Sequence, residues 1–391
     1  MNDFGYSRYN LAIPNFLEIC NIMRIRILIL LFVFSWGNFA FSQDKKIEVI
    51  GYLKKEMAVK KIPGCQLVVI RDNKVLLSEA LGIAEVPFSI PVKTNTIFSI
   101  NSIAKVFTSV AIMQLQEQNK LNINDKISSH IDSIPENWKQ ITIKQLMSHT
   151  SGLPDIEDDK GLIGDMGQDS AWLKVKKLPL QSEAGEKFNY NATNYYILQS
   201  IIEKYSATNF EKFVSKHQFD VVKMKHVYYG NSYDVVENKC PTYTYYHQDK
   251  ISGEYIKGAQ LKETYEEFPS KMRTDAGVFT TAEEMGKWII GLQSGKLLNR
   301  NEDIATIWEP VKLNNGTYDG FGGLLDAYAL GWPVITRKNH PAVAPLGGGR
   351  AAFIIYPKDN LTIILFTNLT GVYPEEIIDK IAGFYVPGIG K

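Results

Sequence analysis

The sequence predicts an α+β fold: one antiparallel sheet built from the two ends of the chain, flanked by helices, with a mainly helical region inserted over about residues 122–292. Two observations predict it. Short β-rich runs joined by good turn sequences occur near the start of the chain and again after Asn299. The stretch between them carries helical periodicity and loop signals, with few convincing strands.

Lys45 to Lys60 reads as an amphipathic helix, because Ile47, Ile50, Leu53 and Met57 fall along one face. Cys65–Ile70 is a continuous apolar strand, Arg71-Asp72-Asn73-Lys74 a turn, and Val75–Ala80 a second strand. A β-hairpin therefore follows the helix. Thr281-Ala282-Glu283-Glu284 has the spacing of a capping box and opens a helix through Trp288 and Ile289. Ala351–Tyr356 and Leu361–Thr367 are joined by Pro357-Lys358-Asp359-Asn360, a hairpin turn sequence, and a closing helix is expected over Pro374–Phe384. With no internal repeat, low-complexity tract or linker, residues 43–391 are expected to form a single domain.

Residues 1–42 are expected to be an N-terminal extension and secretory signal peptide. Met23-Arg24-Ile25-Arg26 is a short basic start, Ile27–Phe34 an apolar run, and Ala40-Phe41-Ser42 places small residues where a signal peptidase inspects them. The run is shorter than the roughly 18–20 residues that span a bilayer, so no membrane anchor is expected after cleavage. Asp3, Pro14 and Glu18 fit a leader poorly, and translation is expected to start at Met23. The mature protein, from Gln43, would be periplasmic or extracellular.

Composition narrows the function classes. With 43 basic and 42 acidic residues the net charge is +1, which lacks the one-signed field that nucleic-acid or anionic-membrane partners require. Cys20 falls in the leader, leaving Cys65 and Cys240 as either one disulfide or two buried thiols. No HExxH, CxxC or other metal-ligand spacing occurs, so no metal or cofactor is expected. The partner expected instead is a small-molecule or peptide substrate.

One charge stands out. The run from Ser102 to Met113 is apolar nearly all round, which marks a buried helix with Asn101 or Ser102 as its N-cap, and until Glu117 its only formal charge is Lys105. Burying an ammonium costs several kcal/mol unless partners compensate. Positions i and i+3 share a helix face, so Ser102 and Lys105 can touch. A desolvated lysine can serve as a base, and a serine at a helix N-terminus aims backbone N–H groups at a developing oxyanion. The alternative is a Lys105 that reaches the surface or pairs with a buried acid.

Further segments follow in order: Leu146-Met147-Ser148-His149-Thr150-Ser151-Gly152-Leu153-Pro154, then Gly185 to Tyr196 around Tyr190, Asp275 to Glu284, Tyr328-Ala329-Leu330-Gly331-Trp332 and Gly347-Gly348-Gly349. Over roughly residues 46–385 this set closely resembles the β-lactamase-related serine hydrolases. That superfamily holds class C β-lactamases, D-Ala-D-Ala carboxypeptidases, D-amino-acid peptidases and β-lactamase-like esterases. The resemblance implies a β-lactamase/transpeptidase-like sheet and a covalent acyl-enzyme formed on a small ester or amide. Ser102 would be acylated, with Lys105 and Tyr190 sharing its proton. The backbone N–H groups of Ser102 and Gly348, the latter on an edge strand, would form the oxyanion hole. Gly347 and Gly349 would let substrate lie close to that strand.

The pattern breaks twice. Where the family usually has Tyr-x-Asn the chain reads Tyr190-Asn191-Ala192, which leaves Asn191 and Asn194 as candidate substitutes for the amide. Where a Lys or His usually opens the third motif it reads Pro345-Leu346-Gly347, and Arg350 is the candidate replacement for the lost charge. These losses weigh against a β-lactamase or D,D-carboxypeptidase more than against acyl transfer, and also leave open an inactive binding scaffold. His149 is expected to pack structurally, His340 to lie in a surface loop, and Tyr243, Tyr245 and Tyr246 to serve core or loop packing. The triple glycine is not a phosphate loop, because a strand follows it.

Overall fold

Both strand-rich ends of the sequence enter one antiparallel sheet in the computed structural model, which describes residues 44–158, 161–164, 167–249 and 254–390. The signal sequence, the start at Met23 and Cys20 lie outside the described residues. A helix, α1, covers residues 44–60. Residues 1–52 and 53–391 are separate compact units; the first is described only by the opening of α1, and everything below belongs to the second.

The strands of the main sheet are β1 (Gly64–Arg71), β2 (Lys74–Glu85), β3 (Ile90–Pro91), β4 (Ala327–Tyr328), β5 (Pro333–Ile335), β6 (Ala342–Val343), β7 (Leu346–Gly347), β8 (Ala351–Tyr356) and β9 (Leu361–Thr367). Their spatial order is β4-β5-β6-β8-β9-β1-β2-β3, with β7 beside β8. The centre pairs the first strand with the last, in a register running from Cys65 opposite Thr367 to Arg71 opposite Leu361. Asp72 and Asn73, with φ of 51° and 58°, make the two-residue turn that right-twisted hairpins favour.

The longest of the other helices among the described residues are α2 (Ala104–Glu117), α3 (Ala192–Ser206), α4 (Ala282–Gln293) and α5 (Pro374–Tyr385). β1 is apolar without alternation because both its faces are covered. Val68, Ile70 and Ile364 join the core shared with α2 and α4. Gly286 lets α4 lie flat there, since a Cβ would stand 3.2 Å from Ile70 Cδ1. α5 packs on β8 and β9.

Several expectations need correction. β2 runs on to Glu85 rather than ending at Ala80. The middle of the chain contributes a small three-stranded sheet, made by Phe98–Ser99, Val278–Thr280 and Val227–Tyr229, and a hairpin of Tyr243–Gln248 with Tyr255–Glu263. Tyr243, Tyr245 and Tyr246 therefore sit on a strand, and Tyr243 is buried there, in keeping with the packing expected of it. Thr281 does cap α4, accepting from the Glu284 N–H at 3.1 Å. Glu284 does not reciprocate; its carboxylate accepts the Lys225 N–H and pairs with Lys287. Cys65 and Cys240 are free buried thiols, each pushed up to about 12 by burial and so chemically quiet.

Candidate active site

α2 is buried along residues 104–115. Its surroundings explain why apolar residues go all round. Phe107 meets Phe219 and Trp288 edge-on, and Trp332 donates its indole N–H to Ser109 at 3.2 Å. Gly331, with φ of 90°, allows its loop to touch α2, where a Cβ would lie 3.2 Å from the Lys105 carbonyl oxygen.

The expected side-chain N-cap is absent. Asn101–Ile103 form a 3-10 turn ahead of α2, and neither Asn101 nor Ser102 caps the helix. Asn101 is left-handed, with φ of 45°, and its side-chain oxygen accepts the Ser102 hydroxyl at 3.2 Å. The reason is packing from β7, because Gly347 presses on this turn: a Cβ there would overlap Ile100 O and stand 3.1 Å from Ser102 N.

Ser102, Lys105, Tyr190 and Gly348 line one cavity of about 150 Å³. Its other walls include Phe321, Tyr328, Pro333, Pro345 and Leu346, so it is largely apolar. Burial, reinforced by the negative charge of Asp275 and partly offset by the Ser102 hydroxyl, pushes the Tyr190 phenol well above the usual range. It is therefore a neutral phenol at ordinary pH.

Lys105 is only 2% exposed, and its ammonium pairs with the carboxylate of Asp275 while donating to the Asp275 carbonyl at 3.3 Å. The rings of Tyr190 and Tyr195 lie 4.5 and 5.1 Å from Nζ, within cation–π range. Asp275 is the functional residue that motif spacing missed. It lies 170 positions from Lys105, and nothing local in the sequence connects them.

The segment around His149 holds Tyr190 in place. His149 is fully buried, lies 4.4 Å from the Tyr190 ring at a tilt of 34°, stacks on Tyr195 at 5.1 Å and accepts the Asn191 N–H on Nδ1 at 3.0 Å. Burial, then the charge of Lys105, holds its imidazole well below the usual range, so it stays neutral and structural. Asn191 caps α3, accepting from the Asn194 N–H and donating to Leu153 O at 2.7 Å. Asn194 accepts the Ser151 hydroxyl at 2.6 Å. Both amides are spent on this stitching and neither lines the cavity, contrary to the expected substitution for the missing motif amide.

Arg350 also departs from expectation. It is 1% exposed and is not a cavity-lining residue. Nη2 donates to the Glu266 carboxylate at 2.6 Å and the Ser99 hydroxyl at 2.9 Å, and Nε to Ser99 O at 3.4 Å. It offers no charge to a substrate. Gly348 belongs to a turn rather than a strand: Gly348 and Gly349 have φ of 56° and 60°, and the Arg350 N–H returns to Gly347 O at 3.1 Å. The Gly349 carbonyl is taken by the Val372 and Tyr373 N–H groups. His340 does lie in a loop, the partly exposed connection between β5 and β6, and is bonded to Asp359 through Nδ1.

Glu157 sits near this site, its carboxyl pushed up to about 7 by burial, then by Asp275 and Asp155. A raised carboxyl favours folding while protonated, below its ordinary 4.5, and that contribution is lost as pH rises through about 7. Glu157→Gln is expected to flatten this dependence. Thermal unfolding at pH 5 and pH 8 should show a drop in Tm for the parent that the variant lacks, by about 1–3 °C.

The family model described as Beta-lactamase matches residues 49–385. The chain belongs to the beta-lactamase family. Members of this family are serine hydrolases. "Protein flp" of Staphylococcus aureus (strain MW2) is 23% identical over 349 residues, covering 87% of this chain and 66% of the relative. The chain thus spans just under two thirds of the length of the curated relatives it matches. The D-amino acid amidase from Ochrobactrum anthropi SV3, complexed with L-phenylalanine amide, shares the fold with a TM-score of 0.74 at 16% identity, covering 87% of this chain and 98% of that one. EstCE1, a hydrolase with promiscuous acyltransferase activity, superposes with a TM-score of 0.71 at 18% identity over 88% and 99% of the two beta-lactamase-fold chains.

Proposed function

We propose that this protein is a serine hydrolase that forms an acyl-enzyme on Ser102 from a small ester or amide. The observation that carries the reading is the convergence of Ser102, Lys105, Tyr190 and the Gly348 turn on one cavity. In acylation, the Ser102 oxygen bonds to the substrate carbonyl carbon. Its proton passes to the Tyr190 oxygen as the Tyr190 proton passes to the leaving group, whose bond to carbon breaks. Water then attacks the acyl carbon, giving its proton to Tyr190 while Tyr190 returns one to Ser102. The Lys105 ammonium, over the Tyr190 ring and paired with Asp275, offsets part of that carboxylate's opposition to negative charge on the phenol. The Ser102 and Gly348 N–H groups receive the carbonyl oxygen.

The cavity walls favour an uncharged acyl or leaving group, since Lys105 is paired, Arg350 is turned away and Pro345 stands where a cation would. That weighs against stem peptides and β-lactams, which carry a carboxylate. The basic start at Met23, the apolar run Ile27–Phe34 and the small residues Ala40 and Ser42 support export to the periplasm or beyond.

A second reading, a binding protein on a silent scaffold, has one observation in its favour: Lys105 already holds Asp275. Incubation with p-nitrophenyl acetate separates the two. A transient acetyl adduct mapped to Ser102 by intact and peptide mass spectrometry is expected, and its absence at every quench time, with penicillin and amide donors also unreactive, would establish the silent scaffold.

A further inference from the structure

The two oxyanion donors sit on segments that no local structure joins, the Asn101–Ile103 turn and the Gly347–Arg350 turn. Resting on the reading of Ser102 as nucleophile, we propose that Glu266 is a positioning residue that fixes the separation of these donors through Asn101 and Arg350. One carboxylate oxygen accepts the Asn101 amide at 3.2 Å and the other accepts Arg350 Nη2 at 2.6 Å. Asn101 immediately precedes Ser102, and Arg350 closes the turn that contains Gly348.

Glu266 is itself held, its backbone N–H donating to the Ser232 hydroxyl at 2.6 Å. Arg350 completes the tie by gripping Ser99 on the nucleophile side. A Cβ on Gly348 would meet Arg350 Nη1 at 2.5 Å and Asn101 Nδ2 at 3.2 Å, so both arms of the clamp touch the oxyanion turn. The backbone needs such a clamp. Asn101 is a non-glycine residue in the left-handed region, with φ of 45°, and such a conformation persists where its surroundings hold it. With Arg350 buried and Glu266 a quarter exposed, the pair is a poor source of net stability, which makes geometry the better account of why both are there.

Glu266→Gln tests this. Both partners of Glu266 are donors, and an amide offers one acceptor end and one donor end, so one arm must break. The readouts are kcat per acylatable site and KM with p-nitrophenyl acetate, the inhibition constant of phenylboronic acid, which builds a tetrahedral adduct on Ser102, and Tm. The clamp predicts a fall in kcat of about 10- to 100-fold, a matching weakening of the boronate, and KM within about twofold. A merely structural role lowers Tm and the acylatable fraction but leaves kcat per site and boronate affinity unchanged, and that result overturns the proposal. Should the single variant not fold, Glu266→Met with Arg350→Met leaves neither charge buried alone. The same losses are expected, and wild-type boronate affinity in the pair overturns the clamp. A wild-type protein that neither acylates nor binds boronate refutes the nucleophile reading, and the clamp falls with it.

Discussion

Ser102→Ala should lower kcat/KM for an activated ester by about 10⁴-fold or more, to the level set by binding alone. Only its contacts with Asn101 and Tyr190 are lost, so stability should change by about 1 kcal/mol or less. Lys105→Met should cost nearly as much activity, and the double variant little more, because groups that act as a unit do not contribute additively. Stability separates the two substitutions. Lys105→Met strands the largely buried Asp275 carboxylate and should destabilise the fold by about 3–5 kcal/mol. Adding Asp275→Leu should restore most of that stability and none of the activity. Ester kinetics alongside denaturant unfolding check both halves, and full activity in Lys105→Met would remove the lysine from the mechanism.

The second large effect is expected at Gly347. A side chain there would run into backbone, which cannot swing aside: a Cβ would overlap Ile100 O and stand 2.8 Å from Ile100 C. Gly347→Ala must therefore move β7 away from the Asn101–Ile103 turn, carrying Gly348 with it. A displacement of about 1 Å is enough to lower kcat about 100-fold, and the strain should cost about 1–3 kcal/mol. Gly348→Ala has a milder conflict, with the Arg350 guanidinium end and a φ of 56°, and should be the less damaged of the two. Equal activity in Gly347→Ala and the parent would show that β7 is not needed close to Ser102.

Local chemistry made part of this legible in the sequence. The Asp72-Asn73 turn and the apolar runs around it set the central hairpin, and an all-apolar helix with one lysine marked α2 and its charge. What was not legible depends on contacts made across the chain. Asp275 meets Lys105 only when the 274–275 segment docks, through Thr108 donating to Thr274 O and Thr274 donating to Tyr195 O. Arg350 reads as an available cation until Glu266 and Ser99 claim it. Asn191 and Asn194 look like substrate amides until the His149 segment uses them. The hairpin beginning at Tyr243 hides because its mixed aromatic and polar residues lie in a largely exposed ribbon, where no buried face imposes alternation.

The clamp between Ser99 and Arg350 joins positions 251 residues apart. A ribosome therefore releases Ser102, the proposed nucleophile, long before it makes the turn that carries Gly348. Until β8 and β9 dock beside β1, a pairing between distant parts of the chain that is intrinsically slow to form, the serine has no oxyanion donors from the far turn. If Ser102 is the nucleophile proposed above, the growing chain carries it unarmed until β8 and β9 are in place.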